Sequence, residues 1–189
     1  MTDKDNSVLN LQSPYLFSEE YRFNLRLHDL GKLRLISLNI QDFVGDINAL
    51  VLFQFLINSS YYQEVMFDHF TSSSNGYHGP FLIKNIDPVN FNELKKEFFQ
   101  EVFFRALKQV KKDTPLIREE KTDKVRSLLK YLDVDNSLIF SLSNCNLFNR
   151  LESGQKYEDE WAHAINYFFE FILINLRDKK INCLYLVYE

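Results

Sequence analysis

Two groups of residues have spacings that occur in metal-dependent catalytic sites. Glu160 and His163 stand three positions apart, as in di-iron helical bundles, but that site needs a second such pair, which the chain lacks. Asp113, Glu119 and Lys121 follow the order found in nucleases where two carboxylates hold a divalent ion and a lysine steadies the attacking hydroxide. Because charged connections often contain such patterns by chance, we interpret both groups as solvent-exposed side chains and predict no catalytic residue and no bound metal.

A loop rich in serine and glycine, residues 71–80, holds a second kind of candidate. Tyr77 offers a flat contact surface and His78 a titratable hydrogen-bonding group, and long loops on a rigid frame often carry binding residues. Ser143 and Asn144 follow a predicted parallel strand, which is where open sheets flanked by helices tend to bind ligands. We predict these four side chains as binding residues, and the alternative is that both segments are ordinary connections.

Basic residues are concentrated on one face of the first predicted strand. From residue 21 to residue 28 apolar and polar side chains alternate, which is the period of a half-buried strand. The polar face and the turn after it contribute Arg22, Asn24, Arg26, His28, Lys32 and Arg34. This face is predicted to bind a phosphate or an acidic segment of a partner. The alternative is a solvated sheet face whose arginines pair with Glu19, Glu20 and Asp42.

The composition narrows the classes of partner and cofactor. The formal net charge of the 189 residues is -4, which argues against nucleic acid as a partner and favours a basic protein. The five glycines form neither a phosphate-binding loop nor a dinucleotide turn, so we expect no cofactor. The 18 phenylalanines and 10 tyrosines predict a core built from large aromatic rings.

The cysteines and the lengths of the apolar stretches indicate the cellular compartment of the protein. Cys145 and Cys183 each lie in an apolar segment, and we predict two reduced, buried thiols. The first residues are polar and contain no signal peptide, and the longest apolar stretches are shorter than the roughly 20 residues that a membrane span needs. We therefore expect a cytoplasmic protein that does not contact a membrane.

The periodicities predict a single α+β domain at residues 14–189 after a flexible N-terminal arm at residues 1–13. Strands at 21–28, 33–43 and 47–57 would form an N-terminal antiparallel β-meander, with a buried helix as the alternative for 47–57. Further predicted elements are helices at 60–70, at 91–112 and around Val125 to Leu132, and strands at 81–86, 137–142 and 181–188. Together they predict a mixed sheet with three to four helices packed on it.

Residues 157–178 predict a long helix that is apolar almost all round. Its position between the strands at 137–142 and 181–188 favours a parallel strand pair with a right-handed crossover. A helix of this kind must be covered on more than one face. Either the helix at 91–112 covers it within the molecule, or it forms a symmetric homodimer.

These observations predict a non-catalytic cytoplasmic protein that acts by binding another protein, as a small inhibitor, an antitoxin or an immunity protein does. The chain has no assembled catalytic constellation, and it has a surplus of aromatic residues, which protein interfaces enrich. Two alternatives stay open. One is a metal-dependent hydrolase or nuclease whose carboxylates are dispersed in sequence, and the other is a self-associating structural subunit.

Overall fold

Six strands form one antiparallel sheet at the centre of the structure. The computed structural model describes residues 16–27, 31–41, 48–63, 77–78, 81–82, 86, 88, 91–109, 119–142 and 167–188. The strands are β1 (Phe17–Arg26), β2 (Gly31–Ile40), β3 (Tyr77–His78), β4 (Phe81–Leu82), β5 (Asn92–Glu93), β6 (Leu138–Ser141), β7 (Tyr167–Asn175) and β8 (Lys180–Tyr188). The helices are α1 (Ala49–Ile57), α2 (Ser60–Gln63), α3 (Lys96–Gln109) and α4 (Glu119–Tyr131). The order in the sheet is β1-β2-β8-β7-β6-β5, and β3 pairs with β4 in a separate ribbon.

Each face of the sheet carries its own hydrophobic core. Helices α1 and α2 contribute to the first core, which contains Ile172 of β7 and Tyr185 of β8. Helices α3 and α4 contribute to the second core, which contains Leu173 of β7 and Leu184 of β8. Because successive residues of a strand point to opposite faces, the two central strands supply side chains to both cores.

The predicted helix at 157–178 is wrong, because residues 167–175 form β7. Residues 157–166 lie outside the described part of the chain. The predicted parallel pair is also wrong, since β7 lies between β6 and β8 and pairs with both in antiparallel orientation. The other pairs of the sheet are antiparallel too, so the sheet is not mixed. A strand covered on both faces is apolar at odd and even positions alike, and its pattern therefore resembles that of a buried helix.

Residues 47–57, predicted as the third strand of a meander with a buried helix as the alternative, contain helix α1. Asn48 caps this helix, because its side-chain Oδ1 accepts a hydrogen bond from the N–H of Val51 at 2.9 Å. The helix buries residues spaced three and four apart, namely Ala49, Leu52, Phe53, Leu56 and Ile57. Of the predicted N-terminal meander, the described residues contain the β1–β2 hairpin.

Helices α3 and α4 both contribute residues to the second core, and their bounds differ from those predicted. Residues 92–93, expected at the start of the first of these helices, pair with β6 as strand β5. Helix α4 begins at Glu119, before Val125, where the predicted helix began. The two helices bury Phe99, Phe103, Ala106, Leu107, Val125, Leu128 and Leu129. The apolar stripes of both helices are thus used in the second core.

Some sequence predictions fall on parts of the chain that the structure does not describe. These are the N-terminal arm at residues 1–13, the end of the helix predicted for 60–70, and Cys145. Among the described helices, none combines the length and the apolar character needed to cross a bilayer.

Candidate functional site

The β1–β2 hairpin brings the basic residues of the first strand onto one face of the sheet. Asn24 lies opposite Arg34, and Arg26 lies opposite Lys32. Directly opposed residues of an antiparallel pair point to the same side, and Arg22 is two positions from Asn24 on the same strand. Arg22, Arg26, Lys32 and Arg34 therefore share the face of the sheet that carries the first core. We call these four residues the basic face.

Hydrogen bonds orient two of these cations. The Nε of Arg22 donates to Oε1 of Glu19 at 3.0 Å, and the hydrogen bond from Arg22 lowers the pKa of the Glu19 carboxyl. The Nε of Arg34 donates to Oδ1 of Asn24 at 2.7 Å. Burial, and after it the positive charge of Arg22, lowers the pKa of Arg34. The field at Arg34 therefore includes a second cation close by.

The carboxylates named in the alternative interpretation divide between the two sides of the sheet. Glu19 pairs with Arg22, as that interpretation expects. Glu20 instead accepts a hydrogen bond from Nζ of Lys180 at 2.8 Å, and this bond lowers the pKa of Glu20 and raises that of Lys180. Asp42 lies outside the described residues. Part of the positive charge of the basic face is thus compensated by Glu19.

The other predicted binding residues do not join the basic face in the described part of the chain. His28, Ser143 and Asn144 fall outside the described residues. Tyr77 belongs to β3, but its side chain is not among those described. His78 is fully buried, so it is not the exposed loop residue that the sequence predicted.

His78 is the centre of a buried polar cluster in the first core. Its Nδ1 lies 2.8 Å from the backbone carbonyl oxygen of Tyr62, and its Nε2 lies 3.0 Å from Oε2 of Glu170. The hydroxyl of Tyr62 donates to the same Oε2 at 3.2 Å. The rings of Tyr62 and His78 stack with their centroids 3.6 Å apart and 5° between their planes. Helix α2, strand β3 and strand β7 therefore meet at this cluster.

Two side chains of β8 complete the surroundings of the cluster. The ring of Tyr185 contacts His78 edge-on at 5.6 Å. Burial raises the pKa of Tyr62, Tyr185 and Cys183. The phenols and the thiol therefore stay protonated at neutral pH.

The geometry of the cluster suits a structural contact better than catalysis. Both ring nitrogens of His78 are engaged by protein atoms, so neither faces a substrate in this conformation. Cys183 is buried and its thiol pKa is raised, which is the opposite of what a nucleophilic cysteine requires.

Sequence reasoning missed Glu170 because it placed residues 157–178 in a helix, whereas Glu170 lies on strand β7. The available signal was a single carboxyl in the middle of an apolar segment, since a buried carboxyl needs a partner. That signal does not name the partner, because His78 is 92 positions away.

A surface groove lies between β1 and α4, on the side of the sheet that carries the second core. Its volume is about 440 Å³, and Tyr21, Phe23, Leu128 and Tyr131 line it. The rings of Tyr21 and Tyr131 lie 5.4 Å apart, and the two residues are 40% and 45% exposed. Asp123 also lines the groove, and its Oδ1 accepts a hydrogen bond from Nη1 of Arg126 at 3.4 Å. We call this feature the β1–α4 groove.

The nuclease-like order of residues does not form a site in the described part of the chain. Nζ of Lys121 donates to the backbone carbonyl of Leu27 at 2.9 Å, so this lysine connects α4 to the end of β1. Asp113 and the side chain of Glu119 lie outside the described residues. Within the described ranges, no three His, Cys, Asp or Glu residues are grouped so that they could hold a metal ion.

Comparisons with known proteins give no family. No family model matches the chain, and no curated protein matches it. Among solved structures, the chain is similar to a crystal structure of citrus MAF1 in space group P 31 2 1. The identity is 12%, the TM-score is 0.40, and the match covers 87% of this chain and 92% of that chain. A second citrus MAF1 structure, in space group C 2 2 21, is 13% identical with a TM-score of 0.36, and the match covers 87% of this chain and 91% of that chain.

Proposed function

We propose that this chain is a non-catalytic cytoplasmic protein that binds another protein through β1 and the β1–α4 groove, as an inhibitor, antitoxin or immunity protein would. The observation that carries the proposal is the pair of half-exposed rings, Tyr21 and Tyr131, at the groove. Aromatic residues are enriched in protein interfaces, where a ring fills a pocket at small conformational cost. Phe23 and Leu128 provide the apolar wall against which a partner side chain would pack.

Strand β1 offers two kinds of contact because its side chains alternate. Tyr21 and Phe23 point toward the groove, whereas Arg22 and Arg26 point to the opposite face. A partner that contacts the whole strand would therefore place apolar groups on one side and anionic groups on the other. Such mixed contacts support specificity, since a partner must match both faces.

The charge of the partner follows from which surface dominates the contact. The formal net charge of -4 favours a basic protein, whereas the basic face favours an acidic segment at β1 itself. We propose a partner that presents an acidic segment to β1, and a basic partner contacting other surfaces is the alternative. Charge reversal on β1 distinguishes the two partners, since it should weaken binding of an acidic segment and strengthen binding of a basic partner.

An enzymatic function has less support among the described residues. Lys121 of the nuclease-like order is hydrogen-bonded to a backbone carbonyl, and His78 has both ring nitrogens engaged in the core. A dispersed metal-dependent hydrolase and a self-associating subunit remain the alternatives to test. Metal analysis of the purified chain tests the hydrolase, and light scattering tests the self-associating subunit.

The test replaces the exposed rings of the groove without touching either core. The double variant Tyr21→Ser, Tyr131→Ser is compared with wild type and with Phe98→Ser, a control on α3 whose side chain is 52% exposed outside the groove. A tagged full chain, expressed in its own cells, should co-purify with one protein at constant stoichiometry. The groove variant should lose this protein, and the Phe98 variant should keep it.

Equal retention of the partner by all three chains would exclude the groove as the binding surface. Loss of the partner in the Phe98 control as well would point to a general defect of the chain instead. Circular dichroism of each variant shows that the fold is intact before binding is compared.

A further inference from the structure

The hydrogen bonds of His78 define how many protons its cluster contains. The partner of Nδ1 is the carbonyl oxygen of Tyr62, which can only accept, so Nδ1 must carry a proton. The partner of Nε2 is Oε2 of Glu170 at 3.0 Å. Two lone pairs cannot face each other at this distance without repulsion, so one further proton lies between Nε2 and Oε2.

The surroundings of Glu170 make this shared proton necessary. Glu170 is 1% exposed, and among the described residues no donor reaches its second oxygen, Oε1. A carboxylate without the shared proton would be a buried charge with one oxygen unsatisfied, which is costly in an apolar core. Tyr62 donates one hydrogen bond to Oε2, but a neutral phenol does not cancel a full charge.

No other charge in the described surroundings replaces that proton. The titratable groups that face the pair are Tyr62 on α2 and Cys183 and Tyr185 on β8, all of them buried and neutral. Arg34 is opposite Tyr185 in the sheet, and its Nε donates to Oδ1 of Asn24. The pair must therefore balance its own charge.

We propose that His78 and Glu170 share a single proton in the first core, and that this proton makes the attachment of β3 and α2 to the sheet a pH-sensitive contact. In the docked state the pair holds two protons, one on Nδ1 and one shared. In a released or unfolded state both side chains are in water. The difference in proton number between the two states determines how the attachment depends on pH.

The sign of the dependence follows from counting protons in three ranges of pH. Above about pH 6.5 an exposed imidazole is neutral and an exposed carboxyl is ionised, so the released state holds one proton fewer than the docked state. Rising pH then favours release by up to about tenfold per pH unit. Between about pH 4.3 and 6.5 the two states hold equal numbers, and below about pH 4.3 the released state holds one more, so acid favours release. The attachment is therefore strongest in mildly acidic solution.

The test compares the pH profile of unfolding in the full chain with that of Glu170→Gln. An amide at position 170 donates an N–H to Nε2 and removes the shared proton while keeping the contact. In this variant the docked histidine is neutral. Position 170 and His78 should therefore add no pH dependence to unfolding above about pH 6.5, and acid should favour unfolding below about pH 6.5. Glu101→Gln is the matched control, since Glu101 is an exposed carboxyl on α3 that bonds Arg105.

Urea unfolding is measured from pH 5 to 8.5 for the three proteins. From pH 6.5 to 8.5 the unfolding constant of wild type should rise with pH, and that of Glu170→Gln should rise less, by up to about a factor of ten per pH unit. The profile of Glu101→Gln should follow that of wild type. Parallel profiles for wild type and Glu170→Gln would overturn the proposal. If that variant does not fold, nitrogen NMR of wild type decides: Nδ1 of His78 must be protonated at both pH 5.5 and pH 8, and an unprotonated Nδ1 at either pH overturns the proposal.

Discussion

Phe168 and Phe171 lie three positions apart on β7 and point to opposite faces of the sheet. Phe168 belongs to the first core, where its ring lies 5.7 Å from that of His78. Phe171 belongs to the second core and meets Phe99 of α3 edge-on, with 5.7 Å between the centroids and 87° between the planes. Strand β7 is thus covered by helices on both sides, and neither ring has a route to solvent.

Replacing Phe171 by alanine should lower the free energy of unfolding by about 3–5 kcal/mol, because it leaves a cavity between β7 and α3. Urea unfolding followed by fluorescence or circular dichroism measures the change. Phe98→Ala is the control on the same helix, since Phe98 is 52% exposed and its loss should cost less than about 1 kcal/mol. Similar losses for the two variants would contradict the placement of Phe171 in the second core.

The two tyrosines of the buried cluster should make the fold sensitive to alkali. Burial raises the pKa of Tyr62 and Tyr185, so the folded protein keeps protons that an exposed phenol loses near pH 10. Their contribution to stability is fully present below about pH 10 and is lost as the pH rises beyond it. Absorbance of tyrosinate should therefore show that Tyr62 and Tyr185 are among the tyrosines that ionise only with unfolding, and Tyr62→Phe should lower the number of such tyrosines by one.

Cys183 should react slowly with thiol reagents in the native protein. The residue is buried, and burial raises the pKa of its thiol, so the reactive thiolate is scarce and shielded. A Cys145→Ser background ensures that the signal comes from Cys183. Labelling should be slow in buffer and fast in denaturant, and rapid labelling in buffer would contradict the buried placement.

Charge reversal on the basic face should weaken binding of the partner that the groove experiment identifies. The double variant Arg22→Glu, Arg26→Glu changes two exposed residues of β1, so the fold should persist. An acidic segment on β1 predicts lower affinity and a flatter dependence on salt. Arg105→Glu on α3 is the control, and stronger binding by the β1 variant would favour the basic partner instead.

The sequence predicted the type of an element where one face of that element is buried and the other is exposed to solvent. The alternation in β1 and the apolar stripes of α3 and α4 are of this kind, and these elements overlap their predicted positions although their bounds differ. The hairpin register then placed Arg22, Arg26 and Arg34 on one face, since residues two apart on a strand always share a face.

The wrong secondary-structure predictions concern elements whose sequence patterns show no solvent-exposed face. Residues 167–175 are apolar in both alternations, and period alone does not separate such a strand from a buried helix. In α1 the odd positions happen to be apolar, and the helical signal was the capping residue Asn48. The contact between His78 and Glu170 could not be predicted for a different reason. It depends on how segments that are distant in sequence pack together.

The central position of β8 has a consequence for how the protein is made. Strand β8 fills the place between β2 and β7, so both of its neighbours leave the ribosome before it does. Until β8 is translated, the hairpin of β1 and β2 has an open edge, and β7 has no neighbour on that side. The sheet can close only after β8 is made, because β2 and β8 pair although they are far apart in sequence, and such distant contacts slow folding. We expect the open edge of the β1–β2 hairpin to be prone to pairing with other chains until β8 covers it.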